Sequence, residues 1–194
     1  MDMPFDAVNE SSDEELLTAY GRGDARAARV LTMRLTPWVL SYAARLTGDR
    51  AEAEDVAQEA MLRLWRVAPD WRVGEAKVTT WLYRVVTNLC TDRLRRRRGQ
   101  GLDEVPEPPD DAPGAEARLQ QAARVDALQQ ALGTLPARQR QAVVLRHVEG
   151  LANPEIAEIM EISTEAVESL TARGKRALAA ALAPRRQELG FEDD

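Results

Sequence analysis

Residues 99–116, with the sequence GQGLDEVPEPPDDAPGAE, constrain the fold of this 194-residue chain more than any other segment. They contain four prolines, three glycines and six acidic residues, and they contain no basic residue. Proline and glycine interrupt regular structure, and a run of like charges without an apolar face cannot build a core. The chain is therefore predicted to fold as two small domains, joined by a flexible acidic, proline-rich linker at residues 99–117.

The composition and periodicity of both flanking regions predict helices rather than strands. Aromatic residues make up 5% of the chain, whereas Ala, Arg, Leu and Glu, which favour helix, are abundant. Apolar residues recur at three- and four-residue steps, as in Leu31, Leu35, Trp38 and Tyr42. We therefore predict an all-α fold, with a first domain at residues 1–98.

The first domain is predicted to contain four helices. Ser12 followed by Glu15 is a capping-box pattern, and glycines end the first two helices. Pro37 is expected to kink the second helix or divide it in two. The predicted helices cover residues 12–21, 24–46, 49–68 and 79–98.

The second domain is predicted at residues 118–186, followed by an acidic tail at residues 187–194. Its first helix ends at Gly133. The next opens at Pro136, a favoured first helical position, and stops at Gly150.

The end of the second domain has the pattern of a helix-turn-helix. A short helix is predicted at residues 154–160 with Asn153 as its N-cap. A three-residue break follows, and then a longer helix at residues 164–183 with Ser163 as its N-cap. The longer helix can enter a DNA major groove, although a plain helical hairpin in a bundle gives the same pattern.

The net charge is −6, but the acidity is concentrated in the linker and the tail. The two predicted domains are close to neutral, so each can carry a local basic face for nucleic acid. Cys90 is the one cysteine and His147 the one histidine, which excludes an intrachain disulfide and a multi-histidine metal site. Both lie among apolar residues and are predicted core residues. We expect no metal, no cofactor and no enzymatic activity.

Hydropathy and the N-terminal segment bear on location in the cell. No apolar run is long enough to span a bilayer. The acidic N-terminus lacks the basic and apolar segments of a signal peptide. We therefore expect a cytoplasmic protein without membrane insertion.

Five arginines lie within Arg93–Arg98, at the predicted end of the fourth helix. Cations there are favourable for the helix dipole, so the run can be a solvated helix end with Trp81 in the core. Tyr83, Asn88 and Asp92 also precede the run. Aromatic rings beside a basic stripe suit single-stranded DNA, because bases stack on the rings and phosphates meet the arginines. The residues alone leave both interpretations open.

The third helix carries an acidic cluster, Glu52, Glu54, Asp55 and Glu59, beside an apolar face. Acidic residues in the first turns of a helix are favourable for its dipole. A metal site built from carboxylates is possible in principle, but no histidine supports it. A docking face for the basic helix of another protein is the third interpretation.

Three segments, in their order and spacing, resemble regions 2 and 4 of the extracytoplasmic-function sigma factors. They are DVAQEAMLRLW at residues 55–65, TTWLYRVVTNLCTDRLRRRR at 79–98 and LPARQRQAVVLRHVEGLANPEIAEIMEISTEAVESLTARGKRAL at 135–178. The resemblance covers roughly residues 12–98 and 120–182. It implies a DNA-binding subunit that binds core RNA polymerase and directs promoter-specific transcription.

The resemblance also implies a role for each segment. The third helix would bind the coiled coil of the polymerase's largest subunits through Asp55, Gln58, Glu59, Leu62 and Trp65. The fourth helix would melt and hold the promoter's −10 element through Trp81, Tyr83, Asn88, Asp92, Arg93, Arg95 and Arg96. The last helix would read the −35 element through Thr164, Glu168, Ser169, Arg173 and Arg176. An anti-sigma factor is expected to cover these surfaces, and no homo-oligomer is expected.

Two residues depart from the family pattern, since many members have a glycine at Glu161 in the turn and a basic residue at Glu168. An acidic side chain near base edges can accept a hydrogen bond from cytosine but repels phosphate. A sigma-like decoy that titrates an anti-sigma factor is therefore one alternative, although a decoy has no need of the arginine run. A helix-turn-helix repressor is another, and it predicts a dimer on a palindromic operator.

Overall fold

The computed structural model describes residues 11–74, 76–100 and 116–185, and within these ranges it is helical and contains no strand. The all-α prediction is confirmed. The helices are α1 (Asp13–Gly21), α2 (Ala25–Thr47), α3 (Arg50–Val67), α4 (Val78–Gln100), α5 (Glu116–Thr134), α6 (Ala137–Val143), α7 (Asn153–Met160) and α8 (Thr164–Leu182). Short 3-10 helices follow α3 (Ala68–Asp70) and α8 (Ala183–Arg185).

The chain divides into two compact units. The first comprises residues 1–44 and 50–93, and the second comprises residues 45–49 and 94–194. The geometric division therefore cuts α4 after Arg93, whereas the sequence prediction ends the first domain at residue 98.

Most of the predicted linker at residues 99–117, and the acidic tail at residues 187–194, lie outside the described residues. Helices occupy both ends of the linker, because α4 continues to Gln100 and α5 begins at Glu116. Gly99 was expected to lie in the linker, but α4 continues through it to Gln100.

The first helix of the first unit begins with the predicted capping box and also caps α4. The N–H of Ser12 donates to Glu15 Oε2 at 2.9 Å, and the N–H of Glu15 donates to Ser12 Oγ at 3.2 Å. Glu14 Oε1 accepts from the N–H of Val78, the first residue of α4, at 3.0 Å. A carboxylate at a helix start satisfies an unpaired donor and is favoured by the helix dipole. Through Glu14, α1 fixes the start of the helix that carries the arginine run.

The second helix passes through Pro37 without a break, so the expected division there does not occur. Proline removes one helical hydrogen bond, to the carbonyl four residues earlier. That carbonyl belongs to Met33, which is 72% exposed, so water can satisfy it. The opposite side of the helix is buried along its length by Leu31, Leu35, Val39, Tyr42 and Leu46.

The helix predicted at residues 136–150 changes character part-way. It starts after Pro136, which is the N-cap and not the first helical residue, and α6 continues into a π-helical turn at Val144–Val148. A π turn contains more residues than an α-helical turn, so side chains within it point in directions different from those in an α-helix. His147 would share the buried side of an α-helix with Val143 and Val144, but it is exposed in the π turn. The prediction that His147 is a core residue is wrong for this reason.

The helix-turn-helix is formed by α7 and α8. Ser163 caps α8, since its Oγ accepts from the N–H of Ala166 at 3.3 Å. Asn153 is the first residue of α7 and Ala152 is its N-cap, one residue earlier than predicted. The apolar sides of the two helices meet, and the contact buries Ile156, Ile159, Met160 and Val167.

The turn between α7 and α8 depends on Glu161, which has φ 53° and ψ 50°. This is the left-handed region, which costs a residue with a Cβ about 1–2 kcal/mol. Glycine avoids that cost, but it lowers stability by about 0.4–1 kcal/mol because it increases the conformational entropy of the unfolded chain. We expect Glu161→Gly to raise the free energy of unfolding by about 0.5–1 kcal/mol, as measured by urea denaturation.

A matched control for that variant is Glu158→Gly, which makes the same substitution inside α7. Glycine within a helix costs about 1 kcal/mol relative to alanine, whereas glutamate is a good helix former, so this variant is expected to be less stable than the wild type. Equal losses for Glu161→Gly and Glu158→Gly would show that the left-handed conformation at Glu161 is not a source of strain.

Candidate nucleic-acid interfaces

One side of α4 presents a row of side chains suited to nucleic acid. Residues three, four and seven positions apart share a helix face, and the predicted −10 residues include such a series. The series spans about 22 Å from the helical rise per residue. Asn88, Asp92, Arg95 and Arg96 are exposed and Trp81 is half-buried. This set, the α4 stripe, consists of Trp81, Asn88, Asp92, Arg95 and Arg96.

Tyr83 is turned away from the α4 stripe and into an aromatic cluster with α2. Its ring centroid lies 4.7 Å from that of Trp38 and 5.0 Å from that of Tyr42, the latter in an edge-to-face arrangement. The hydroxyl of Tyr42 also forms a hydrogen bond with Thr87 Oγ1 at 2.8 Å, inside the core. Tyr83 is half-buried and serves first as packing between α2 and α4.

Trp81 has a partner that the sequence analysis did not single out. Trp71, between the 3-10 helix and α4, meets it edge to face with ring centroids 6.2 Å apart. The indole Nε1 of Trp71 is buried and has no hydrogen-bond partner among the described residues. Edge-to-face pairs of this kind are favourable aromatic contacts, and Trp71 here supports one side of the half-buried Trp81 ring. The sequence feature that could have pointed to Trp71 is an aromatic residue within the short segment, containing Gly74, that precedes α4.

Arg93 also points away from the α4 stripe, and toward α3. Its Nη1 lies 3.3 Å from Asp55 Oδ2. The neighbouring Glu59 accepts from Arg63 Nε at 2.8 Å, and this hydrogen bond is the main cause that lowers the pKa of Glu59. The structure thus brings together Arg93, a predicted −10 residue, and Asp55, a predicted polymerase-binding residue.

A groove of about 360 Å³ runs between α2 and α3 in the first unit. Met61 and Ala57 form its buried floor, and Leu62 is 43% exposed at its edge. The ring of Tyr20 packs edge to face against that of Trp65, with ring centroids 4.9 Å apart. The rest of the groove is lined by Thr32, Thr36 and Leu40 of α2 and by Glu54, Gln58, Leu62 and Trp65 of α3.

The predicted polymerase-binding residues occupy one continuous side of α3, the α3 face. Gln58, Leu62 and Trp65 lie along the groove, while Asp55 and Glu59 lie beside them toward α4. The α3 face therefore has an apolar half and an acidic half. A helix with one apolar row and one basic row would complement both halves.

The outer side of α8 carries the predicted −35 residues. Glu168, Arg173 and Arg176 are exposed, and Thr164 and Ser169 are half-buried. Arg173 Nε donates to Ser169 Oγ at 3.2 Å, which holds this arginine along the helix.

Glu165 and Glu168, both near the start of α8, have different surroundings. Glu165 accepts hydrogen bonds from its own N–H and from the Ser163 side chain, and these lower its pKa. Glu168 Oε1 accepts from Asn153 Nδ2 of α7 at 3.4 Å. The Glu165 carboxylate is therefore engaged at the helix start, while that of Glu168 extends from the second turn.

Three further properties of the described residues concern metal binding, the cysteine and membrane-spanning helices. They contain no group of three or more His, Cys, Asp or Glu side chains arranged to hold a metal ion. Cys90 is fully buried, which confirms its predicted place in the core. No helix within the described ranges is long and apolar enough to cross a membrane.

Comparison with known proteins identifies the family. The sequence matches Sigma-70 region 2 over residues 31–100 and Sigma-70, region 4 over residues 126–178. It is 36% identical over 176 residues to the ECF RNA polymerase sigma factor SigM of Mycobacterium tuberculosis, covering 90% of this chain and 87% of that one. The chain belongs to the extracytoplasmic-function sigma factors. A sigma factor directs RNA polymerase to promoters and is not an enzyme.

Further relatives agree with this assignment. The sigma factor is 31% identical to the RNA polymerase sigma-H factor of Pseudomonas aeruginosa, covering 91% of this chain and 97% of that one. Among solved structures it is similar to CnrH, determined in complex with the cytosolic domain of CnrY. That match has a TM-score of 0.65 and 28% identity, and it covers 90% of this chain and 99% of that one.

Proposed function

We propose that this sigma factor works through two separate modules. Residues 1–98 bind core RNA polymerase and open the −10 element, residues 118–186 read the −35 element, and residues 99–117 connect them. The α4 stripe is the observation that carries the proposal, because it joins a braced indole to exposed polar and cationic side chains along one helix face. Linking two weak DNA sites gives a joint affinity that neither has alone, because the second contact becomes intramolecular.

The direct test is run-off transcription with purified core polymerase and a pool of genomic promoter fragments. Specific transcripts that depend on this chain support the proposal. Polymerase binding without any transcript would favour the decoy alternative, for which the acidic Glu168 on the recognition side of α8 is the supporting observation. Absence of polymerase binding would contradict the proposed activity and favour a repressor that binds a palindromic site.

The α3 face is proposed to dock the coiled coil of the polymerase's largest subunits. A partner helix would place its apolar side chains in the groove beside Leu62 and Trp65. Basic side chains on the same helix would then meet Asp55 and Glu59. Charge complementarity of this kind speeds association, and the apolar contact supplies affinity.

We expect Leu62→Arg to weaken core polymerase binding by about tenfold, because it puts a charge into an apolar contact. The measurement is a titration of the labelled chain with core polymerase. Val125→Arg is the matched control, since Val125 is 56% exposed on α5 and the charge change is the same. Equal affinities for the two variants would contradict docking at the groove.

We also propose that the protein acts in the cytoplasm and is held there by an anti-sigma factor that covers the α3 face or α8. The similar CnrH structure is a complex with the cytosolic domain of CnrY, which supports the proposal by analogy. Affinity purification of the chain from cells under several stresses tests it. Recovery of RNA polymerase in every condition, without any second protein partner, would count against an anti-sigma factor.

A further inference from the structure

The start of α8 holds an acidic side chain where a DNA-reading helix needs groups that can approach bases. Glu168 is exposed in the second turn of α8, within one turn of Thr164 and Ser169. The N-terminal residues of a recognition helix are the ones that reach base edges in the major groove. Glu168 therefore lies where direct base readout takes place.

One long hydrogen bond, from Asn153, reaches the carboxylate of Glu168. Asn153 Nδ2 donates to Glu168 Oε1 at 3.4 Å, across the interface between α7 and α8. That contact engages one oxygen and leaves Oε2 able to accept another hydrogen bond.

A carboxylate can only accept hydrogen bonds, and the major groove offers few donors. They are the N4 amino group of cytosine and the N6 amino group of adenine. Adenine also presents the N7 acceptor beside its amino group, which repels a carboxylate, whereas cytosine has no acceptor on its own major-groove edge. Guanine O6 and N7 and thymine O4 are acceptors and are likewise unfavourable.

The exposed cations Arg173 and Arg176 lie further along α8 than Glu168. Arg173 is held by Ser169 Oγ at 3.2 Å, and Arg176 Nε donates to the carbonyl of Ala172 at 3.4 Å. Arginine contacts to phosphates fix the register of a protein on DNA, and base-edge contacts give the sequence preference. The second turn of α8 can therefore be acidic while the helix as a whole still binds DNA.

We propose that Glu168 is a specificity-determining residue that selects a cytosine in the −35 element, through a hydrogen bond from the cytosine N4 amino group to Oε2. This inference rests on the proposed reading of the −35 element by α8. Many family members have a basic residue at this position. The carboxylate of Glu168 would instead give a preference for one base pair. Promoters used by this protein would carry a C·G pair beneath the second turn of α8.

The test uses core polymerase with the full chain on a promoter library randomised through the −35 element. Sequencing of the run-off transcripts gives the base preference at each position. For the wild type we expect cytosine enriched at least about fivefold at one position, consistent with one good base contact. Glu168→Gln is expected to remove that preference or move it to adenine, because glutamine both donates to and accepts from adenine. Preferences at the other positions are expected to stay the same.

Glu158→Gln is the matched control, since it removes the same charge from an exposed position on α7. It is expected to keep the cytosine preference. Wild-type and Glu168→Gln proteins with the same preference at every position would overturn the inference while leaving promoter-directed transcription intact. A wild type that yields no specific transcript would overturn the proposed function and this inference together.

Discussion

Replacing Arg95 and Arg96 together with alanine is expected to reduce promoter-specific transcription by at least about tenfold while leaving core polymerase binding unchanged. Both side chains are exposed on the α4 stripe, one turn beyond Asp92. Arginines there can meet the phosphates of a melted strand whose bases stack beside Trp81. The α3 face, proposed for polymerase docking, is formed by other residues and stays intact.

The salt dependence of DNA binding gives a second measurement of the same change. Each phosphate contact to a single strand contributes about 0.7 to the slope of log affinity against log salt concentration. Loss of two contacts is therefore expected to lower that slope by about 1.4 for a single-stranded −10 fragment bound to the holoenzyme. Permanganate reactivity of unpaired thymines reports whether the promoter still opens.

The matched control is the pair Arg22→Ala and Arg29→Ala, which removes two exposed arginines outside the α4 stripe and the α3 face. This double variant has the same change in net charge and is expected to transcribe like the wild type. Equal loss in both double variants would mean that overall charge, and not the stripe, sustains DNA binding. An unchanged salt slope for the Arg95 and Arg96 variant would contradict phosphate contacts by these two residues.

The helices were predictable because their signals are local. Ser12 with Glu15, and Ser163 with the N–H of Ala166, form caps within four residues of sequence. Apolar periodicity likewise belongs to each helix alone, and Leu31, Leu35 and Tyr42 of the predicted series are buried.

The packing partners of individual site residues depend on distant parts of the chain. The helical period already places Tyr83 and Arg93 off the α4 stripe, but their neighbours there, Trp38 and Asp55, come from other helices. His147 is exposed because the helix before it changes to a π turn, for which the sequence has no short-range signal. A list of candidate residues on one helix therefore becomes a site only when the packing partners of that helix are known.

The close packing of α8 against α6 leads to the second large effect, at Gly174. A Cβ added there would lie 2.6 Å from Val143 Cγ2 and 3.1 Å from the carbonyl oxygen of Gln139. We expect Gly174→Val to lower the free energy of unfolding of the second unit by about 3 kcal/mol, because overpacking outweighs the better helix propensity of valine. Transcription is expected to fall with it, since α8 carries the residues proposed to read the −35 element.

Two spectroscopic signals can show that the loss of stability is in the second unit. All four tryptophans fall within residues 38–81, so their fluorescence follows the first unit, while circular dichroism follows the helices of both. In urea denaturation, Gly174→Val is expected to shift the circular dichroism transition to lower urea and to leave the fluorescence transition unchanged. Gly133→Val is the matched control, because a Cβ at Gly133 would have no neighbour within 4 Å.

A double-mutant cycle tests the physical cause. Val143→Ala removes the methyl group that a Cβ at residue 174 would meet, so Gly174→Val should cost less in that background than in the wild type. Residues in direct contact show coupling energies of about 0.5–3 kcal/mol, and we expect at least about 1 kcal/mol here. Additive losses would mean that the carbonyl of Gln139, and not the side chain of Val143, sets the limit on residue 174. A circular dichroism transition that does not move in Gly174→Val would contradict the close approach of α6 and α8 altogether.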